Sequence, residues 1–272
     1  MQYIQYGYAP APAPAPAKPP KTAADTFKRL LSGPGFLFVV IFTLAILVLQ
    51  VVYAFSLSNV FTQMLSILKE SGSSVSGEEF AEIEMFAEFM DKYFFSLALV
   101  AVVPCIFRFL GYLWLYMGAK NGKDKTVAMG ATVFQVFNTI PAVLLVLYLI
   151  FIAIAIGAVA VSPSVPEKGM FLTILGIFLL IIILIFKFYS NFAKMWKGLK
   201  KTVLTGENCC KVSSYVVFWC WVGIVLSIIG ALASFAVSAL VAIAAALEVV
   251  CMIVIIGVFT KFKDEEGLPQ KK

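Results

Sequence analysis

Residues 214–260 read SYVVFWCWVGIVLSIIGALASFAVSALVAIAAALEVVCMIVIIGVFT, and this stretch decides the fold class. It contains a single charged residue, Glu248. One continuous helix of that length would extend about 70 Å, more than twice the roughly 30 Å thickness of a bilayer's hydrocarbon core. The stretch therefore predicts two membrane spans separated by a tight turn near residues 233–238.

The composition of the whole chain is that of a polytopic membrane protein. Hydrophobic residues make up 61% of the 272 positions and charged residues 13%, whereas charged residues approach about a quarter of a soluble domain. We predict an all-α membrane protein with a six-span helical bundle, the transmembrane domain covering residues 31–262. The predicted spans are residues 36–56, 94–118, 131–158, 169–188, 214–233 and 238–260.

The distribution of basic residues predicts the orientation. All but four of the 21 Lys and Arg residues flank the spans on one side, which the positive-inside rule assigns to the cytoplasm. Both termini are therefore predicted to be cytoplasmic. Residues 1–30 include the run APAPAPAP, which prevents helix formation, so we expect a disordered Pro/Ala-rich tail there. Residues 263–272 form a second, short cytoplasmic tail.

The loop over residues 57–93 is expected to face outward. It carries seven acidic residues and two lysines, a net charge of −5. Apolar residues three and four positions apart continue the first span to Leu68, the sequence SGSSVSG at 71–77 interrupts them, and a second amphipathic stretch runs from Phe80 to Met90. The pattern predicts an acidic extracellular helical hairpin.

Two ionisable residues, Arg108 and Glu248, lie within the predicted spans. A charge at the centre of a spanning helix costs about 2.5–3.5 kcal/mol, so each needs a partner or water. Both lie about 18–20 Å from the lysine that follows their span. Asn138 lies about 20 Å from Lys125, which precedes its span, and Gln135 is one helical turn nearer to that lysine. We expect the four to form a polar layer in which Arg108 pairs with Glu248. The alternatives are a structural pair that fixes helix register, a proton or ion pathway, and unrelated charges that snorkel to the interface.

Residues 186–205 have the pattern of a basic amphipathic helix that extends the fourth span along the cytoplasmic surface. Its apolar face includes Trp196, and lysines project elsewhere. We expect contacts with anionic lipid, and a regulatory partner site is the alternative. The candidate lipid contacts are Lys187, Lys194, Lys197, Lys201 and Trp196.

Small residues recur every fourth position in the last two spans, from Gly223 to Ala231 and from Gly230 to Ala246. Such rows are typical of helices that approach closely. We expect them to pack the last two spans together, with oligomerisation as the alternative.

The residue types argue against familiar catalysis. Histidine is absent, and no HExxH or GxSxG motif occurs, so we predict neither an enzyme nor a cofactor. The five cysteines lack the spacing of a zinc site, and the adjacent Cys209 and Cys210 are expected to be unmodified thiols rather than acylated, redox-active or metal-binding. The basic excess is that of a membrane protein and does not indicate a nucleic-acid partner.

Three segments carry a resemblance to a known group of proteins: SGPGFLFVVIFTLAILVL at 32–49, YLWLYMGAKN at 112–121 and FYSNFAKMWKGLKKTVLTG at 188–206. Over about residues 27–230 the chain resembles uncharacterised multi-pass membrane proteins of Gram-positive bacteria. The resemblance implies the plasma membrane and no particular activity. We expect a non-enzymatic accessory or scaffold protein whose partners are the lipid bilayer, anionic cytoplasmic lipid, and either a second membrane protein or further copies of the chain. The alternative is a small-solute or ion transporter that uses the Arg108 and Glu248 pair.

Overall fold

The computed structural model of the protein describes residues 22–57, 60–70, 77–161, 168–234 and 238–266. These residues form helices without any strand, which confirms the all-α prediction. The helices are α1 Ala23–Leu31, α2 Pro34–Ser56, α3 Val60–Glu70, α4 Gly77–Lys120, α5 Asp124–Val161, α6 Lys168–Thr205, α7 Ser214–Ser234 and α8 Ala239–Glu266. Within the described ranges, the six helices α2 and α4 to α8 are long and apolar enough to cross a membrane.

The six long helices coincide with the predicted spans, but three of them are much longer. The helix α4 has 44 residues, and α5 and α6 have 38 each. At about 1.5 Å per residue they extend roughly 66 Å and 57 Å, well beyond a hydrocarbon core. The separation of the last two spans is as expected, because α7 ends at Ser234 and α8 begins at Ala239.

The helices pack side by side in an order different from their order in the chain. The helix α2 packs between α4 and α8, α5 packs between α4 and α6, and α7 packs on α8. The resulting order is α6, α5, α4, α2, α8, α7, and α6 meets α7 over a short stretch only. Most of the buried core lies where α1 packs against α4, α6 and α8. We call this the basic end because Lys120, Lys123, Lys125, Lys261 and Lys263 lie there.

Residues 23–31 form the helix α1, although residues 1–30 were predicted to be disordered. Thr22 and Asp25 form a capping box that satisfies the first backbone N–H groups of the helix. Phe27 and Leu31, one turn apart, are both buried against the rest of the protein. The prediction of disorder was wrong for this segment because it was extended from the proline-rich run to residues that have their own helix signals. Residues 1–21, with the proline run itself, lie outside the described residues.

The two arms of the predicted hairpin pack against each other, but the first arm does not continue the first span. The helix α2 ends at Ser56 and α3 begins at Val60. Asp91 of α4 explains the separate start, because its carboxylate accepts hydrogen bonds from the backbone N–H groups of Phe61 and Thr62, at 2.8 and 2.9 Å. The second arm is continuous with the second span in α4. The SGSSVSG linker lies outside the described residues except for its last glycine.

The segment after α6 folds back along that helix. Gly206 makes the turn with a φ of 78°, a conformation that favours glycine. The backbone N–H of Cys209 then donates to the Thr202 hydroxyl at 2.9 Å. A Cβ atom at Gly198 would lie 2.7 Å from the carbonyl oxygen of Cys209, so the close approach requires glycine at that position.

Candidate functional site

The structure brings together the two ionisable residues that the sequence places within the spans. The Arg108 Nη1 atom of α4 donates a hydrogen bond to the Glu248 Oε1 atom of α8, and the two groups form an ion pair. The helix α2 packs against both α4 and α8, so the pair joins two helices that flank a third. Opposite charges in contact reduce the cost of placing either one in an apolar environment.

Contacts with α2 show how deep the pair lies. The Tyr112 and Phe36 rings are 5.9 Å apart, and the Cys251 Sγ atom lies 3.9 Å from the Val39 carbonyl oxygen. Because Arg108 is one turn beyond Tyr112, the pair lies near residues 40–42 of α2, about 9–12 Å from the start of that helix. The pair therefore lies nearer to the start of α2, at the basic end, than to its end at Ser56.

The other two residues of the expected polar layer do not join the pair. The Asn138 amide of α5 is buried and donates to the Phe134 carbonyl of its own helix at 2.7 Å. In the described part of the chain, no hydrogen bond links Asn138 or Gln135 to Arg108 or Glu248. Of the expected layer, the structure shows the ion pair, whereas Asn138 donates its hydrogen bond to the backbone of its own helix.

Tyr112 is a member of the site that sequence reasoning missed. It is buried, and it lies one helical turn from Arg108 on the same face of α4. Tyr112 therefore lies beneath the ion pair on the side of the basic end. Its position four residues after Arg108, on the same face of α4, is the sequence signal that could have identified it.

Tyr112 also belongs to an aromatic series that connects six helices at the basic end. Each ring contacts the next, with centroids 3.9 to 5.9 Å apart where adjacent members meet. Contacts between aromatic rings contribute about 0.5–1.5 kcal/mol each beyond the area they bury. The series closes the bundle below the ion pair. Its members, in order of contact, are Phe262, Phe27, Phe259, Trp196, Phe134, Tyr112 and Phe36.

The ion pair is accessible, and on the Glu248 side the accessible surface faces the interior of the bundle. Glu248 has 40% of its side chain exposed, although Ala244, Cys251 and Ile255 on the same face of α8 are buried. The exposed apolar residues of α8, such as Val250, lie on the opposite face. The exposed surface of Glu248 therefore borders a space between helices.

The inward face of α4 shows where this space opens. Arg108 has 43% of its side chain exposed. Tyr112 and Leu115, on the same face towards the basic end, are buried, whereas Ala101 and Pro104, on the same face in the other direction, are exposed. The exposed side of the pair therefore faces the inside of the bundle on the side away from the basic end. We call this exposed interior surface the interhelical cleft.

Residues 186–205, predicted to be a basic amphipathic helix, are the last part of α6, and the lipid contact predicted for Trp196 is wrong. Trp196 is only 2% exposed, and its ring stacks on Phe134 with centroids 4.6 Å apart, so it contacts protein rather than lipid. Lys194, Lys197 and Lys201 are exposed. Lys187 lies 4.8 Å from the centre of the Tyr215 ring of α7, a cation–π contact.

The small-residue rows do not mark the closest helix approach. A Cβ atom at Gly230 of α7 would meet nothing within 4 Å. The closest approach is between α4 and α5, where a Cβ atom at Gly118 would lie 2.6 Å from the Val127 nitrogen and one at Gly130 the same distance from the Gly111 carbonyl oxygen. The helices α7 and α8 do pack, through larger residues that include Ile224 and Val249.

The adjacent cysteines differ in their surroundings. Cys210 is buried, and its Sγ atom lies 3.5 Å from the Met195 carbonyl oxygen. Burial raises the pKa of the Cys210 thiol to about 12, so the thiolate needed for nucleophilic or metal chemistry is disfavoured. Cys209 is half-buried. No group of three His, Cys, Asp or Glu side chains in the described ranges is placed to hold a metal ion.

Comparisons with protein-family models, with curated proteins and with solved structures found no match. The resemblance to multi-pass membrane proteins of Gram-positive bacteria stays a prediction.

Proposed function

We propose that the protein is a non-enzymatic accessory or scaffold protein of the plasma membrane, with both termini in the cytoplasm. The basic end then faces the cytoplasm, and α3 with the beginning of α4 lies outside. The observation that supports this function is a surface on α4 in which large exposed apolar side chains alternate with glutamates. We call it the hairpin surface. Its members are Glu82, Ile83, Glu84, Met85, Phe86, Glu88 and Phe89.

The length of α4 supports a position outside the bilayer for this surface. Its 44 residues extend about 66 Å, so a segment of roughly half that length projects beyond a hydrocarbon core of about 30 Å. Phe86 is 62% exposed there, between acidic residues that disfavour insertion into anionic lipid. Exposed apolar patches with a polar rim are typical of protein interaction sites.

Contacts between the two arms hold α3 against α4, which suits a docking element. Asp91 is 4% exposed and joins α4 to the start of α3, where the Thr62 hydroxyl donates to it at 2.6 Å. Leu65 of α3 and Ala87 of α4 are buried on the faces that these helices turn towards the protein. A rigid surface loses less conformational entropy on binding than a mobile loop.

The exposed lysines of α6 support an attachment to anionic lipid at the other end. A lysine close to an anionic membrane surface contributes about 1 kcal/mol. Lys194, Lys197 and Lys201 project from the helix whose opposite face carries the buried Trp196 and Leu199. This lipid contact would hold the basic end at the cytoplasmic interface.

Site-specific photo-crosslinking in native membranes tests the scaffold function. A photoreactive amino acid at position 86 should give one protein adduct, and the same residue at Phe38, exposed on the span α2, should give lipid adducts. Replacing Glu82, Glu84 and Glu88 together by Gln should remove the protein adduct. Absence of a discrete adduct at 86, or an adduct unchanged by the triple replacement, would reject the hairpin surface as a docking site.

A small-solute transporter is the second candidate function, and the accessibility of the Arg108 and Glu248 pair favours it. Ionisable residues inside membrane spans often mark solute or ion pathways. The purified protein in liposomes should then take up a solute without any partner, and Glu248→Gln should abolish the uptake. Uptake by Glu248→Gln at the rate of the unaltered protein would exclude this role for the pair.

A further inference from the structure

We propose that Arg108 and Glu248 form a binding site for a small zwitterion in the interhelical cleft, with the carboxylate of the ligand on Arg108 and its ammonium group on Glu248. This inference rests on the second candidate function and names its substrate class. It is independent of the scaffold function, which depends on the hairpin surface.

The first argument is the unused hydrogen-bonding capacity of the pair. A guanidinium group has five N–H donors, and among the described residues only the Glu248 carboxylate accepts from Arg108. The second oxygen of Glu248 likewise has no protein donor in the described ranges. In an apolar environment these groups need water or a ligand, and 43% and 40% of the two side chains are accessible to one.

The second argument is the charge balance. The pair has no net charge, so a ligand with one positive and one negative group leaves the cleft neutral when it binds. A lone anion or a lone cation would add a net charge to a region of low dielectric constant, where uncompensated charge is costly. The zwitterion replaces one internal ion pair by two ion pairs with the ligand. The cleft therefore selects against ligands with a single charge.

The third argument is the shape of the cleft. Beside the pair, away from the basic end, α4 contributes Ala101 and Pro104 and α8 contributes Ala245, all of which are short side chains. Buried Tyr112, one helical turn from Arg108, closes the cleft towards the basic end. A site with a charged floor and short apolar walls fits a small molecule whose charged groups lie close together.

Thermal unfolding of the full-length protein in nanodiscs of uncharged lipid tests the proposal. The probes are glycine and β-alanine, with sodium acetate and methylammonium chloride as controls that each carry one of the two charges. At least one zwitterion should raise the unfolding midpoint by a few degrees, with saturation in the millimolar range, and neither control ion should do so at equal concentration. No rise with either zwitterion, or an equal rise with a control ion, overturns the proposal.

Two variants link the effect to the cleft. Arg108→Gln combined with Glu248→Gln keeps polar side chains at both positions and removes both charges, so the zwitterion response should disappear. Because this double variant can fail to fold, Ala101→Phe provides a second test that leaves the pair intact and fills the exposed side of the cleft. It should also lose the response, and a response retained by Ala101→Phe overturns the site. The assay measures binding without transport, so a protein that binds glycine and takes up no solute keeps the site and rejects the transporter.

Discussion

Phe27 and Phe262 are in direct contact, with ring centroids 3.9 Å apart, and both side chains are almost completely buried. The contact fixes α1 to the last turns of α8. Two ion pairs flank it, one between Lys28 and Asp124 at 3.0 Å and the other between Arg29 and Glu265. The segment before the first span is thus part of the folded core and connects the beginning and end of the bundle.

Replacing Phe27 by Ala should release α1 from the basic end. Truncation of a buried phenylalanine costs about 3–5 kcal/mol, because packing is lost and a cavity remains. Limited proteolysis should then cleave within α1 much faster than in the unaltered protein. Phe38→Ala is the matched control, since Phe38 is exposed on α2. Equal cleavage rates in the Phe27 variant and the control would show that α1 is not held by this contact.

The hydrogen bonds of Asp91 predict a local effect in the hairpin. Asp91→Ala removes the acceptor for two backbone N–H groups and the Thr62 hydroxyl, which should destabilise α3 by about 1–3 kcal/mol. Hydrogen exchange of the first amides of α3 should accelerate. Asp91→Asn, which keeps one acceptor oxygen, should have a smaller effect. Glu88→Ala, an exposed change one turn away, should leave the exchange unaltered, and slow exchange in Asp91→Ala would contradict the capping role.

Composition and apolar run length were sufficient to predict the framework of the fold. A membrane span has to be long and apolar, so each one leaves a signal in its own segment, and the turn before α8 follows from the length of residues 214–260. The pairing of Arg108 with Glu248 was predictable for a similar reason. The sequence contains two charges within the spans, and each needs a partner of opposite sign.

Other features depend on what covers a helix face, which periodicity does not reveal. The sequence pattern correctly identifies the residues on the apolar face of α6, including Trp196. It does not show whether lipid or protein covers that face, because both are apolar. In the structure, Phe134 and Phe259 contact Trp196. For Asn138 the sequence gives the depth, but it does not reveal that the amide donates to the Phe134 carbonyl of its own helix. Asp91 looked like one acidic residue among seven because its partners are about thirty positions away.

The capping box of α1 predicts a pH dependence. The hydrogen bond from the Thr22 side chain lowers the pKa of Asp25 below its ordinary value, so the ionised carboxylate stabilises the helix. This contribution is complete above the unfolded pKa of about 3.9 and is lost as the pH falls through the lower folded value. The stability difference between the unaltered protein and Asp25→Ala should therefore narrow as the pH falls below about 4. Unfolding midpoints of both proteins between pH 3 and 7 measure it, and a gap that widens in acid would contradict the assignment.

Gly198 and Gly176, both in α6, should respond in opposite ways to replacement by Ala. At Gly198 the new methyl group would lie 2.7 Å from the Cys209 carbonyl oxygen, a backbone atom, so the returning segment has to move. We expect a loss of about 1–3 kcal/mol, as for other overpacked sites. At Gly176 nothing lies within 4 Å, and Ala should stabilise the helix by about 0.5–1 kcal/mol. Thermal unfolding of the two variants compares them, and equal midpoints would rule out the close packing at Gly198.

The last prediction concerns the energetic coupling of Arg108 and Glu248, and it separates the three interpretations of these charges. Arg108→Met or Glu248→Gln alone leaves one charge without its partner, and each should destabilise the protein by about 2 kcal/mol, less than for a fully buried pair because the cleft is accessible. If the pair fixes the positions of α4 and α8, the double variant should lose clearly less stability than the sum of the losses in the two single variants. The exchanged pair, Arg108→Glu with Glu248→Arg, should recover most of the stability. Strictly additive losses would mean that the charges act independently, as snorkelling side chains would. Strong coupling with solute uptake lost in the exchanged pair would instead mean that the same contact serves a transport cycle.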